Sequence, residues 1–141
     1  MKKIFISSDH AGFTLKESIK IFLKKKGYKY SDLGPSNDSR VDYPDFAHKV
    51  AKKVKTNKNN VGILVCGSGM GMNITANRHK NIRAAQCFNL KSTKLSRLHN
   101  DANIITLGSR LLKNKIVMQL INVFLTTKFE GGRHKKRINK I

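Results

Sequence analysis

Short, nearly unbroken apolar runs alternate along the chain with longer stretches in which apolar residues recur every three or four positions, a pattern that predicts strands separated by helices. Residues 4–7 form the first run, stopped by Ser8-Asp9-His10-Ala11-Gly12; beyond it Phe13, Leu15, Ile19, Phe22 and Leu23 fall near helical spacing with lysines on the other face. Gly27 ends that helix directly after Lys24-Lys25-Lys26, with cations at the negative end of the helix dipole. A weak strand over 28–33 and a loop over 34–39 lead to a helix from Pro44 to about Lys55, with Phe46, Ala47, Val50, Ala51 and Val54 apolar. Residues 61–65 are wholly apolar or glycine, the mark of a strand covered on both faces, and they run into Cys66-Gly67-Ser68-Gly69-Met70-Gly71, after which a helix of about ten residues is expected. Further strands are predicted over 82–86 and 103–107, and helices over 92–98 and 111–125, with a basic tail over 131–141. Strands separated by helices throughout require right-handed crossovers. The expected fold is therefore α/β: a three-layer αβα sandwich on a Rossmann-like five-stranded parallel sheet, one domain over 1–141 with a C-terminal basic tail.

Composition changes this picture little. The 141 residues suit one core, and 39% apolar residues plus 10 glycines argue against disorder. No apolar run approaches the roughly 18 residues of a membrane span, and Met1-Lys2-Lys3 leads only into Ile4-Phe5-Ile6, so neither a span nor a signal peptide is expected. Cys66 and Cys87 are not in a CxxC pair, which gives no disulfide framework or zinc module and points to a reducing, cytoplasmic setting. Charge is the outlier: 29 Lys+Arg against 8 Asp+Glu give +21. Because the lysines lie where solvated helix faces and loops are expected, they read as surface, and nucleic acid is not the expected partner. A basic field of this size does attract phosphorylated small molecules.

Ligands of parallel α/β sheets sit outside the carboxyl ends of the strands, which selects Ser8-Asp9-His10, Cys66 to Gly71, Cys87-Phe88-Asn89 and Gly108-Ser109-Arg110. Gly67, Gly69 and Gly71 free the backbone to turn its N–H groups toward one point, a nest for an anion, or else they make a strand-to-helix turn with no ligand. Their spacing is GxGxG rather than GxGxxG, and residues 86–91 carry no acid to hold a ribose hydroxyl, so a dinucleotide is disfavoured; no Walker lysine follows either. Cys66 stands before the nest, as a candidate nucleophile or base or as a small core residue, and the core reading is favoured for Cys87. Asp9 and His10 offer proton transfer or phosphate binding. His99 is open to a functional or a capping role, while His48 and His79 read as ordinary exposed helix residues. Arg133 and Arg137 share one face if the tail is helical, and either grip a phosphate or are solvated.

Six blocks in order carry a resemblance: Ser8-Asp9-His10-Ala11-Gly12-Phe13, Asp42-Tyr43-Pro44, Cys66 to Gly71, Leu95 to Asn103, Gly108-Ser109-Arg110 and Glu130-Gly131-Gly132-Arg133-His134. Together they cover nearly the whole chain, which resembles ribose-5-phosphate isomerase B, in a group that also contains galactose-6-phosphate isomerase subunits. The resemblance implies reversible interconversion of ribose 5-phosphate and ribulose 5-phosphate in the non-oxidative pentose phosphate pathway, with no metal or organic cofactor; allose or galactose 6-phosphate is the alternative substrate. A sugar-phosphate sensor without turnover and a nucleic-acid-binding protein are the alternatives to an enzyme.

By the same resemblance Cys66 is the base, the amides of Gly67, Ser68, Gly69, Met70 and Gly71 with the Ser68 hydroxyl hold the developing oxyanion, and His99 opens the sugar ring. Asp9 handles hydroxyl protons, Asn100 contacts a sugar hydroxyl, and His10, Arg110, Arg133 and Arg137 bind phosphate. The site is shared between subunits of a homodimer, which can pair into a homotetramer, with the tail contacting the partner. Ser68 stands where many relatives carry threonine, which keeps the hydroxyl, and Cys66 places the chain with the thiol-using rather than the glutamate-using branch. The lysine-rich surface is not a trait of the family.

Overall fold

The computed structural model describes residues 2–141. The elements run β1 (Lys3–Ser8), α1 (Phe13–Lys25), β2 (Tyr30–Asp32), α2 (Tyr43–Val54), β3 (Asn60–Cys66), α3 (Met70–Ala76), β4 (Ala84–Gln86), α4 (Leu90–Leu98), β5 (Ile104–Gly108), α5 (Asn114–Thr126) and α6 (Arg133–Ile138). All four strand pairings are parallel, in the order β2-β1-β3-β5-β4. The chain winds one way from β1 to β2 and then crosses back to β3, so the switch in direction falls between β1 and β3, where ligands of such sheets bind.

Side-chain alternation sorts the core into two layers. Ile4 and Ile6 of β1, Ile63 and Val65 of β3, and Ile105 and Leu107 of β5 face Leu15, Ile19 and Leu23 of α1 and Val117, Leu120, Ile121 and Phe124 of α5. The intervening Phe5, Leu64, Cys66 and Ile104 face Ala47, Val50, Ala51 and Val54 of α2 and Met72 and Ala76 of α3. This is the expected αβα sandwich.

The largest differences from the sequence reading, in β2, α3 and α5, each have a local reason. β2 has three residues rather than six, because it is an edge strand paired only with β1 through Tyr30, Ser31 and Asp32. α3 has seven residues rather than about ten: the Asn77 side chain accepts from Ala84 N–H at 2.8 Å and donates to Ala84 O at 3.0 Å, giving the edge of β4 the partner a further strand would have given. α5 starts at Asn114 because Leu111 and Leu112 both donate to Gly108 O in a turn at the end of β5. The basic tail contains α6, which puts Arg133 and Arg137 one turn apart.

One buried charge ties α1 to the β2 end. Lys16 has no exposed surface, and its ammonium donates to both Asp32 oxygens, at 2.9 and 2.8 Å, and to Pro35 O at 2.8 Å. Lys20 reaches the same carboxylate at 2.7 Å. Burial alone would raise the Asp32 carboxyl, but the hydrogen bonds from Lys16, Lys20 and the Gly34 amide outweigh it and hold the group below its ordinary range. Asp32→Ala leaves the Lys16 cation buried without its carboxylate and is expected to cost about 3 kcal/mol of unfolding free energy in urea melts. Because the folded-state value is depressed, the Asp32 contribution is complete above the ordinary carboxylate range and lost as pH falls through the folded value, so wild-type and variant stabilities should converge in acid.

Candidate active site

The carboxyl ends of β1, β3 and β5 meet around Cys66. Asp9 N–H donates to Val65 O at 3.1 Å, Ser109 N–H to Cys66 O at 2.8 Å and Arg110 N–H to Gly67 O at 3.0 Å, so the loops after β1 and β5 are both bonded to the end of β3. Gly12 permits the first of these approaches, since a β-carbon there would lie 2.4 Å from Val65 O. Gly69 has φ +79°, a conformation that side chains resist, and a β-carbon on it would meet the Leu107 carbonyl carbon at 2.9 Å. With the chain turned this way, Gly69 N–H donates to Cys66 Sγ at 3.0 Å and Met70 N–H donates to Ser68 Oγ at 3.2 Å. Sγ therefore sits on the floor of the glycine-rich turn, almost covered, with an amide aimed at it.

Asp9 is buried and spends one carboxylate oxygen on Gly12 N–H at 2.9 Å. The Val41 N–H lies 3.3 Å from His10 Nδ1; when it donates there, the ring proton sits on Nε2, the atom left for a ligand. Asp9 and His10 line a cleft of about 530 Å³ with Arg40, Val41, Asp42 and Tyr43. The Tyr43 ring continues that cleft to the nest, for a β-carbon on Gly71 would lie 2.5 Å from it. The Arg110 guanidinium lies over Gly67 on the other side. Asp9, His10, Cys66, the nest from Gly67 through Ser68, Gly69 and Met70 to Gly71, and Arg110 are thus brought to one end of the sheet.

His99, Asn100, Arg133 and Arg137 are not there. Gly62 N–H bonds to Asn103 O, Gly62 pairs with Ile104, and Cys66 pairs with Gly108, so Asn103 and the residues before it lie at the amino edge of the sheet. The four strand steps between them amount to about 13 Å. His99 caps the C-terminus of α4, and α6 packs on it: Glu130 N–H donates to Leu98 O at 3.0 Å, and the His134 ring stacks on His99 with centroids 4.1 Å apart. His134 is buried, and burial together with the His99 and Arg133 charges pushes its imidazole below its usual range.

A sequence profile described as ribose/galactose isomerase matches residues 4–141. The chain belongs to that family. Ribose-5-phosphate isomerase B of Escherichia coli is 40% identical over 141 residues, covering 100% of this chain and 95% of its own. The solved ribose-5-phosphate isomerase B of Clostridium thermocellum superposes with a TM-score of 0.95 at 46% identity, over 98% of this chain and 93% of that one. The enzyme of that name from Mycoplasma genitalium, solved with bound ribulose-5-phosphate, gives 0.95 at 45% identity over 99% and 93%.

Several residues of this region escaped the sequence reading. Gln86 Nε2 donates to Ser68 O at 2.6 Å and fixes the nest from β4, and Tyr43, Glu130 and His134 stood inside recognised blocks without a role. His48 and His79 are not ordinary exposed helix residues: they are half-buried, with Nδ1 and Nε2 2.7 Å apart, and His79 lies in the turn after α3. Cys87 is the buried core residue expected, its thiol pushed up by burial. Gly69→Ala should lose about 1–2 kcal/mol of stability from backbone strain alone, read by urea melts, and should cut turnover by displacing the amide that faces Cys66.

Proposed function

We propose that the protein interconverts ribose 5-phosphate and ribulose 5-phosphate, a step of the non-oxidative pentose phosphate pathway, through an enediolate. The observation that carries this reading is Cys66 Sγ on the floor of the amide nest, within the loops that present Asp9, His10 and Arg110. The C2 proton of the aldose passes to the Cys66 thiolate and returns to C1, while the O2 proton passes by way of Asp9 to O1, so no atom is gained or lost. The amides of Gly67 to Gly71 and the Ser68 hydroxyl stabilise the negative oxygen between the two steps. His10 and Arg110 take the phosphate.

The remaining roles fall to residues at the other end of the sheet: His99 for ring opening, Asn100 for a sugar hydroxyl, Arg133 and Arg137 for the phosphate. Their distance from Cys66 in one chain supports a site completed by a second copy, hence a homodimer, with a tetramer as a pairing of dimers. The whole chain acts as one sugar-phosphate isomerase domain in this reading. Among the described residues no helix is long and apolar enough to cross a membrane, and both cysteines are free, which supports placing the reaction in the cytoplasm.

Cys66→Ala is expected to lower turnover of ribose 5-phosphate by at least about a thousandfold with the fold intact by circular dichroism; retained turnover overturns the assignment of the base. Sharing of the site has its own test. Cys66→Ala and His99→Ala chains, each inactive alone, are unfolded together and refolded as a mixture. Random pairing makes half the dimers mixed with one intact site in each, so activity should return to about a quarter of wild type. No recovery assigns both residues to one chain.

A further inference from the structure

Outside the nest, one group of side chains is placed as metal ligands are. His99 and His134 each hold Nε2 3.7 Å from Glu130 Oε2, and the three ligand atoms all lie within 4.8 Å of one another. A tetrahedral zinc ion with bonds of about 2.0–2.1 Å separates its ligand atoms by about 3.4 Å, so the carboxylate is already close to the required distance from both rings. A second observation points to a ligand independently. His134 is only 5% exposed, and its Nε2 is fully covered with no hydrogen-bond partner. A buried polar atom without a partner is costly, and a ligand that accepts its lone pair removes the cost.

We propose that His99, Glu130 and His134 form an inhibitory site for a zinc-like divalent cation, which takes His99 out of ring opening when it binds. Imidazole and carboxylate ligands suit zinc rather than magnesium or calcium. The rings are stacked within 12° of parallel, so their in-plane lone pairs run side by side, and one ring must turn to share an ion. His99 is the freer ring, about one third exposed at the end of α4, whereas His134 is enclosed. Glu130 is half exposed and gives the ion an entry path, with a water as fourth ligand. Metal capture and ring opening both call on the His99 ring. The binding site stands on geometry alone; the inhibition rests on the isomerase reading.

The test separates the two. Cobalt(II), a spectroscopic stand-in for zinc, is titrated into Cys66→Ser protein, so that the nest thiol does not compete. We expect one ion per chain, visible bands of a nitrogen and oxygen site without sulfur charge transfer, and displacement by zinc. Glu130→Gln and His134→Gln should each weaken binding by more than about tenfold. Absence of binding, or binding that neither variant weakens, overturns the site. In wild-type protein zinc should inhibit ribose 5-phosphate turnover, and His134→Gln, scored against its own zinc-free rate, should need about tenfold more zinc for the same fractional inhibition. Equal sensitivity overturns the inhibitory role. Cobalt binding by the Cys66→Ser protein together with no turnover of ribose 5-phosphate by the wild-type protein would keep the metal site and remove the isomerase reading.

Discussion

The carboxyl end of β3 is the constraint on which the candidate site depends. Three main-chain hydrogen bonds, from Asp9, Ser109 and Arg110, hold the loops after β1 and β5 against Val65, Cys66 and Gly67. None of them involves a side chain. The absence of a side chain at Gly12 lets one of those loops come close enough. Cys66 Sγ is then positioned by a strand buried in two core layers, and the amide facing it is positioned by the turn that Gly69 makes. Under the proposed reading, a base on such a rigid element beside a preformed oxyanion pocket needs no reorganisation at the moment of proton transfer.

Much of this was legible in the chain itself, for particular reasons. β3 could be read because a strand covered on both faces leaves an unbroken apolar run, and the turn after it because alternating glycines have few other uses. β2 was overextended because an edge strand is set by its single neighbour rather than by its own residues. The helix after the nest was overlong because the pairing of Asn77 with Ala84 is a tertiary hydrogen bond that no period records. Lys16 is the plainest case: its sequence position reads as part of a solvated lysine face, and its burial depends on Asp32 and Pro35, 16 and 19 residues away. The His48–His79 and His99–His134 contacts, across 31 and 35 positions (79 minus 48; 134 minus 99), are hidden for the same reason.

The charge balance takes on a structural meaning once the carboxylates are located. Of the 8 acidic residues, Asp9 receives the Gly12 amide, Glu17 and Asp32 neutralise Lys16 and Lys20, Asp101 bonds Arg83 and Arg97, and Glu130 faces the stacked histidines. Five of the eight acids thus serve a buried or folded feature, Asp38, Asp42 and Asp45 are exposed, and most of the surface lysines are left without a partner. Surface pairs are worth little, so their absence costs the fold little. The uncompensated positive field that remains favours the approach of an anionic sugar phosphate.

The division of the candidate residues between two ends of one sheet follows from the topology. A thiol at the carboxyl end of β3 and a histidine at the close of α4 are separated by the length of β5, because the helix returns the chain to the amino edge before that strand begins. No rotamer of His99 spans a gap of about 13 Å. Under the shared-site reading a twofold axis resolves this, because each end of one chain then faces the opposite end of its partner and both sites are completed at once.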